Sequence, residues 1–170
     1  RFIDIGLMEG VYDIDDACKQ YYLSSDCLNS LKTLRPVNVE KRVFGHLFII
    51  AGSTLMPGAL LMSVKAAIQS GAGLVTAFAP GSIVSSLSAQ VPEAMWIPLP
   101  ETNFGTITTR ACDVILSYTN NATAILAGPG LGLSRDTEMV IQELLQKTNL
   151  PILLDADTLV PRVLEVSQQG

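Results

Sequence analysis

The chain has 170 residues, of which 48% are hydrophobic and 16% charged, with a net charge of -5 and a mean hydropathy of +0.37. This length allows one ordinary domain with a real core, and the apolar balance predicts strands buried on both faces or surface meant to be covered. No basic patch suits nucleic acid, no run reaches the ~18 apolar residues of a membrane span, and Cys18, Cys27 and Cys112 lack CxxC spacing, which predicts reduced thiols instead of a disulfide frame or zinc site.

Residues 1–7, RFIDIGL, read as a strand ending at glycine, and the acidic polar stretch after it as a connector with one short helix. The start carries no initiator Met and no signal-peptide pattern, which suggests a chain cut from something larger. At His46 the texture changes. HLFIIAGS is a short apolar run closed by Gly52-Ser53, the pattern of a buried parallel strand. MPGALLMSVKAAIQSGAG predicts a helix opened by Pro57 and ended by Gly71 in the left-handed conformation. LVTAFAP is a second strand, GSIVSSLSAQVPEAM a shorter helix ending near Pro92, and MWIPLPE an irregular strand whose prolines push it to an edge. TITTRACDVILSYTN predicts a helix, ATAILAG a strand, and SRDTEMVIQELLQKT a helix capped by Ser134 or Asp136. PILLDAD is a further strand, and 159–168 a closing helix.

Alternating strands and helices imply right-handed crossovers and a parallel sheet with helices on both faces. Ligands in such sheets sit beyond the carboxyl ends of strands. Three clusters fall there: Ala51-Gly52-Ser53, Gly128-Pro129-Gly130-Leu131-Gly132, and Asp155-Ala156-Asp157. A strand, glycines and a helix are a recipe for anion binding. The second cluster, however, has neither a Gly-Lys-Ser/Thr ending nor GxGxxG, and Asp136 and Glu138 follow in the first helical turn. Two readings stand: a tight turn that lets strand and helix pack, or a bare floor for a flat ligand. Gly52, Ser53, Gly58 and Ala59 allow the same two.

Asp155 and Asp157 alternate along an extended segment, so they do not form an acid–base dyad. Asp157 is expected to cap the following helix, and Asp155 to face a ligand, a water or Mg²⁺. His46, the single histidine, is expected to be structural, since no Ser-His-Asp order can be built around it. Lys65 reads as solvated, Trp96 as packed, and Glu93 as a loop residue able to touch a ligand.

The ordered set FGHLFIIAGSTLMPGALLMSVKAAIQSGAGLVTAFAP, VPEAMWIPLPE, AILAGPGLG and PILLDADTL strongly resembles the ADP/ATP-dependent NAD(P)H-hydrate dehydratase domain of the ribokinase-like superfamily, from about Leu34 onward. RFIDIGL is similar to the exit strand of the epimerase domain that precedes it in bacterial fusions. The resemblance implies residues 1–33 as the end of an epimerase domain plus linker, and 34–170 as the N-terminal part of the dehydratase. The implied fold is an α/β three-layer sandwich with a mainly parallel sheet, truncated at the C-terminus.

The implied activity is cytoplasmic repair of NADHX and NADPHX, using ADP or ATP with Mg²⁺, in a homo-oligomer. Ala59 and Gly130 would contact the hydrated dinucleotide, and Asp155 would lie close to the reacting groups. Gly52, Ser53, Gly128 and Gly132 join them as candidate site residues. No metal ligands are assigned, and the catalytic base of the family's GTGD element has no counterpart before Gly170, so this chain is expected to be inactive alone. Two departures stand out: Lys41 alone matches the family's His-Lys-Gly element, and Thr158-Leu159-Val160 replaces Ala-Leu-Asn. The alternatives are a ribokinase-like small-molecule kinase and a non-catalytic dinucleotide-binding module.

Overall fold

The computed structural model describes residues 38–167. The expected strand over 1–7, the connector helix and the division near residue 33 lie outside them. Five strands form one sheet: β1 (His46–Ile50), β2 (Leu74–Pro80), β3 (Met95–Leu99), β4 (Ala124–Ala127) and β5 (Ile152–Leu154). Their order is β3-β2-β1-β4-β5, and every pairing is parallel. The prolines of MWIPLPE do place β3 at an edge.

Alternation along the strands divides the core in two. Phe48, Ile50, Phe78 and Ile125 face α3 (Ala111–Tyr118), α4 (Arg135–Lys147) and α5 (Pro161–Ser167), where Ile115, Ile141, Leu144 and Val163 meet them. Ile49, Val75 and Ala77 face α1 (Pro57–Gln69) and α2 (Gly81–Ser88), against Leu60, Val64, Ile83 and Leu87. The result is helix, sheet, helix. Each fully buried Leu, Ile or Phe contributes about 1.5–3 kcal/mol, so both layers are firmly held.

Local chemistry sets the helix ends. Pro57 opens α1, where no N–H is needed. Gly71, at φ 94, closes it: its N–H donates to Ile68 O at 3.0 Å and that of Ala72 to Ala67 O at 3.1 Å, the paired bonds of a Schellman motif. Ser134 caps α4, its Oγ accepting from the Thr137 N–H at 3.1 Å.

Three boundaries differ from expectation. The helix over TITTRACDVILSYTN begins only at Ala111. Ile107 instead bridges Glu101 in antiparallel fashion, and the Thr102 hydroxyl accepts from the N–H groups of Phe104 and Thr106 at 3.2 and 3.4 Å. Threonines compete for the backbone and favour such turns over helix. Next, α2 stops at Ser88, short of Pro92. Finally, α5 starts at Pro161, because residues 156–158 form a single 3₁₀ turn.

Candidate functional site

Strand order reverses between β1 and β4, which send their helices to opposite faces. Such a switch point opens a crevice at the carboxyl ends of the strands. The three sequence clusters meet here. The Gly52 N–H donates to Pro129 O at 2.8 Å, the Gly128 N–H to Ile50 O at 3.1 Å, and the Asp155 N–H to Ala127 O at 3.0 Å.

Ala59 and Gly130 are neighbours. A Cβ on Gly130, whose φ is +67, would lie 2.8 Å from Ala59 Cβ and 2.9 Å from Met56 O. Gly128, at φ +132, is pressed against the Asp155 carbonyl and the Thr158 hydroxyl. Gly52 packs on Leu60 and Ile83, so there the packing reading of the cluster holds.

Beyond these tips lies a cleft of about 890 Å³, walled by Met56, Thr106, Gly132, Arg135, Asp136 and Asp157. Leu55, Phe104 and Leu133 protrude at its rim, 86%, 85% and 71% exposed. Ala59 and Gly130 adjoin the cleft through Met56 and Gly132 and are not part of its lining. The loop after β3 closes one side: Thr54 N–H donates to Gly105 O at 3.0 Å.

The N–H groups of the glycine cluster discriminate between its possible roles. Pro129 has none. Gly128 donates to Ile50, Leu131 to Gly128, and Gly132 to the Asp157 carboxylate at 2.9 Å. Among the described residues only the Gly130 N–H of this cluster has no partner. A phosphate cradle needs several converging amides; one free donor suits a carbonyl or hydroxyl oxygen.

The bond from Gly132 also corrects the expectation for Asp157, which holds the glycine loop and does not cap the closing helix. The intervening 3₁₀ turn swings its side chain away from that helix. Asp155 is exposed at the tip of β5, and the Thr158 hydroxyl accepts its N–H at 3.0 Å. Ser53 is 2% exposed and its Oγ has no hydrogen-bond partner. Leaving such a group unpaired costs about 1–3 kcal/mol, which marks Ser53 as unusual in this otherwise satisfied core.

His46 is structural, as expected. Its Nδ1 donates to Asn121 O at 2.9 Å, so Nε2 is the acceptor for the Thr76 hydroxyl at 2.7 Å. Burial holds its pKa below the ordinary value of 6.5. It lines a second hollow of about 560 Å³ at the amino ends of the strands, away from the switch point. Lys65 is exposed on α1, the Trp96 indole N–H donates to Val91 O at 3.0 Å, and Glu93 stands outside the cleft. Burial also pushes the Cys112 thiol up to about 12, so it is inert as a nucleophile. Among the described residues no three His, Cys, Asp or Glu side chains could hold a metal ion, and no helix is long and apolar enough to cross a membrane.

Sequence reasoning missed the rim residues Leu55, Met56, Phe104 and Leu133. The signal was present in Gly105 and the threonines around it, which mark a turn where a helix was expected.

The family profile described as NAD(P)H-hydrate dehydratase (Carb_kinase) matches residues 47–168. The bifunctional NAD(P)H-hydrate repair enzyme Nnr of Moorella thermoacetica is 30% identical over 156 residues, 92% of this chain and 29% of the relative. The ADP-dependent (S)-NAD(P)H-hydrate dehydratase of Enterococcus faecalis is 36% identical over 124 residues, 73% of this chain and 39% of the relative. The chain thus spans well under half of these relatives. A solved ribokinase-like superfamily protein from Enterococcus faecalis superposes with a TM-score of 0.67 at 30% identity, covering 88% of this chain and 48% of that one. A parallel three-layer sheet of this order, three motif-bearing strand tips converging on one crevice, and a profile match across most of the chain lead to one conclusion: the chain belongs to the NAD(P)H-hydrate dehydratase family.

Proposed function

We propose that this chain forms the dinucleotide-facing half of a nicotinamide cofactor repair site, serving the ADP- or ATP-dependent dehydration of NADHX and NADPHX to NADH and NADPH. The observation that carries this reading is the pairing of Gly130 with Ala59 beside a single unpaired N–H. Gly130 packs its main chain against Ala59 and Met56 beside the cleft, and its one donor matches the carboxamide or hydroxyl of a hydrated nicotinamide. The Ser53 hydroxyl, buried and unpaired at the tip of β1, fits a site completed by a polar group. Gly132 lines the cleft, Gly52 and Gly128 pack beneath it, and Asp155 is exposed at the tip of β5.

The chemistry follows from leaving-group ability. The ring hydroxyl oxygen takes the terminal phosphoryl of ADP or ATP as the P–O bond to the nucleotide breaks, leaving AMP or ADP, and the hydroxyl proton passes to a general base. The C–O bond then breaks, with phosphate taking the electron pair and the ring nitrogen assisting. The neighbouring carbon loses a proton, which restores the C=C bond. Positioning and charge stabilisation supply most of the rate in phosphoryl transfer. Mg²⁺ would neutralise phosphate charge; the described residues offer no cluster to hold it without the nucleotide, and Asp155, exposed at the tip of β5, is the carboxylate we expect to meet it. We further take residues 1–33 as the end of an epimerase domain, the assembled enzyme as a homo-oligomer, and the cytoplasm as the compartment where this repair is needed.

The test is a titration of the ¹⁵N-labelled chain with NADPH. Saturable shifts of the Ala59 and Gly130 amides are expected. Shifts confined to the hollow around His46, or none at all, overturn the reading.

A further inference from the structure

We propose that Asp157 is a specificity-determining and positioning residue. By occupying the Gly132 amide it denies the glycine loop to phosphate and reserves the loop for the uncharged part of the ligand. The proposal rests on the reading of this cleft as a dinucleotide site.

The loop has the general form of an anion site, with glycines after a strand and before a helix. What removes that capacity is specific. The Gly132 N–H, 25 residues earlier in the chain, is taken by an Asp157 oxygen at 2.9 Å, and both residues line the cleft. The Gly128 and Leu131 amides are taken by carbonyls, so within the glycine cluster of the described residues only the Gly130 amide is left. The cation on this wall is also spoken for. Arg135 pairs with Glu138 at 3.2 Å, while Asp136 lines the same wall. A phosphate approaching the glycine cluster itself would meet the Asp157 carboxylate, with Asp136 on the same wall, and one free amide. A carboxylate at hydrogen-bond distance from the loop repels a second anion there, and a single amide offers little to offset it. A carboxamide or ring hydroxyl would meet no such penalty. The glycine loop therefore sorts the two ends of a dinucleotide: the ring lies against the loop, and the phosphates lie off it.

Asp157 also fixes loop geometry. Gly130 sits two residues from the anchored amide, and its place against Ala59 depends on the loop holding its course.

The experiment follows amide resonances of the full 170-residue chain during titration with inorganic phosphate at constant ionic strength. In the unaltered chain the Gly132 amide is expected not to move. In Asp157→Ala, which frees the amide and removes the charge, it should shift saturably, with phosphate affinity raised at least about tenfold. Asp157→Asn keeps an acceptor while losing the charge, and a smaller gain of the same sign is expected. It decides the matter alone if the alanine variant does not fold. Phosphate binding by the unaltered chain as tight as by the variants, or no gain in any folded variant, overturns the proposal. The NADPH titration of the unaltered chain judges the underlying site reading separately, because it does not depend on Asp157 being altered.

Discussion

One methyl group at Gly130 would be driven into Ala59 and the Met56 carbonyl from a backbone conformation that suits glycine alone. Gly130→Ala is therefore expected to lose about 1–3 kcal/mol of stability and to weaken NADPH binding, as read by urea denaturation and fluorescence titration. Gly58→Ala is the matched control: its Cβ meets nothing within 4 Å, and it should gain about 0.5 kcal/mol. His46 gives a pH prediction. Its folded pKa is depressed, so the unfolded chain binds the extra proton first, and stability rises with pH across that window. The contribution is complete above 6.5 and is lost as pH falls below it. His46→Gln should flatten the stability profile between about pH 5 and 7; with one histidine in the chain, an unchanged slope sinks the assignment. At this scale the sequence revealed which residues are small or acidic, but not where they point. The 3₁₀ turn at 156–158 sends Asp157 to Gly132, and no periodicity encodes that direction.

Elements with strong local signals were readable. The Pro57 start and Gly71 stop of α1 and the Ser134 cap of α4 follow from backbone chemistry that tertiary contacts do not override. Ser134→Ala should cost about 1 kcal/mol by loss of the Thr137 N–H acceptor; denaturation midpoints measure it, and an unchanged midpoint means the cap is idle. The stretch before α3 was misread because its threonines sit at spacings that also suit a helix face. The Thr106 hydroxyl instead pairs with that of Thr102, which accepts from the N–H groups on either side of Gly105, and the Thr108 hydroxyl donates to Pro100 O, which yields the loop that walls the cleft.

Across the molecule, strand alternation with apolar runs made the layered fold and its parallel sheet legible, because only right-handed crossovers bury such strands on both faces. Strand order was not legible, since nothing local says that β4 pairs with β1. At the far edge, Leu153 on β5 is 65% exposed. Apolar edge strands template association; Leu153→Lys should remove any concentration-dependent association through this edge of the described sheet in sedimentation while leaving the circular dichroism spectrum unchanged.

The central position of β1 also governs timing. It meets β2 across one helix, but its contact with Thr123, at the foot of β4, bridges 77 residues. Long-range pairing of this kind forms late, so the crevice exists only once the chain has nearly finished folding. A dinucleotide bound as proposed would act as a latch on a closed door: it should lengthen the lifetime of the native state in stopped-flow measurements and leave the refolding rate where it was.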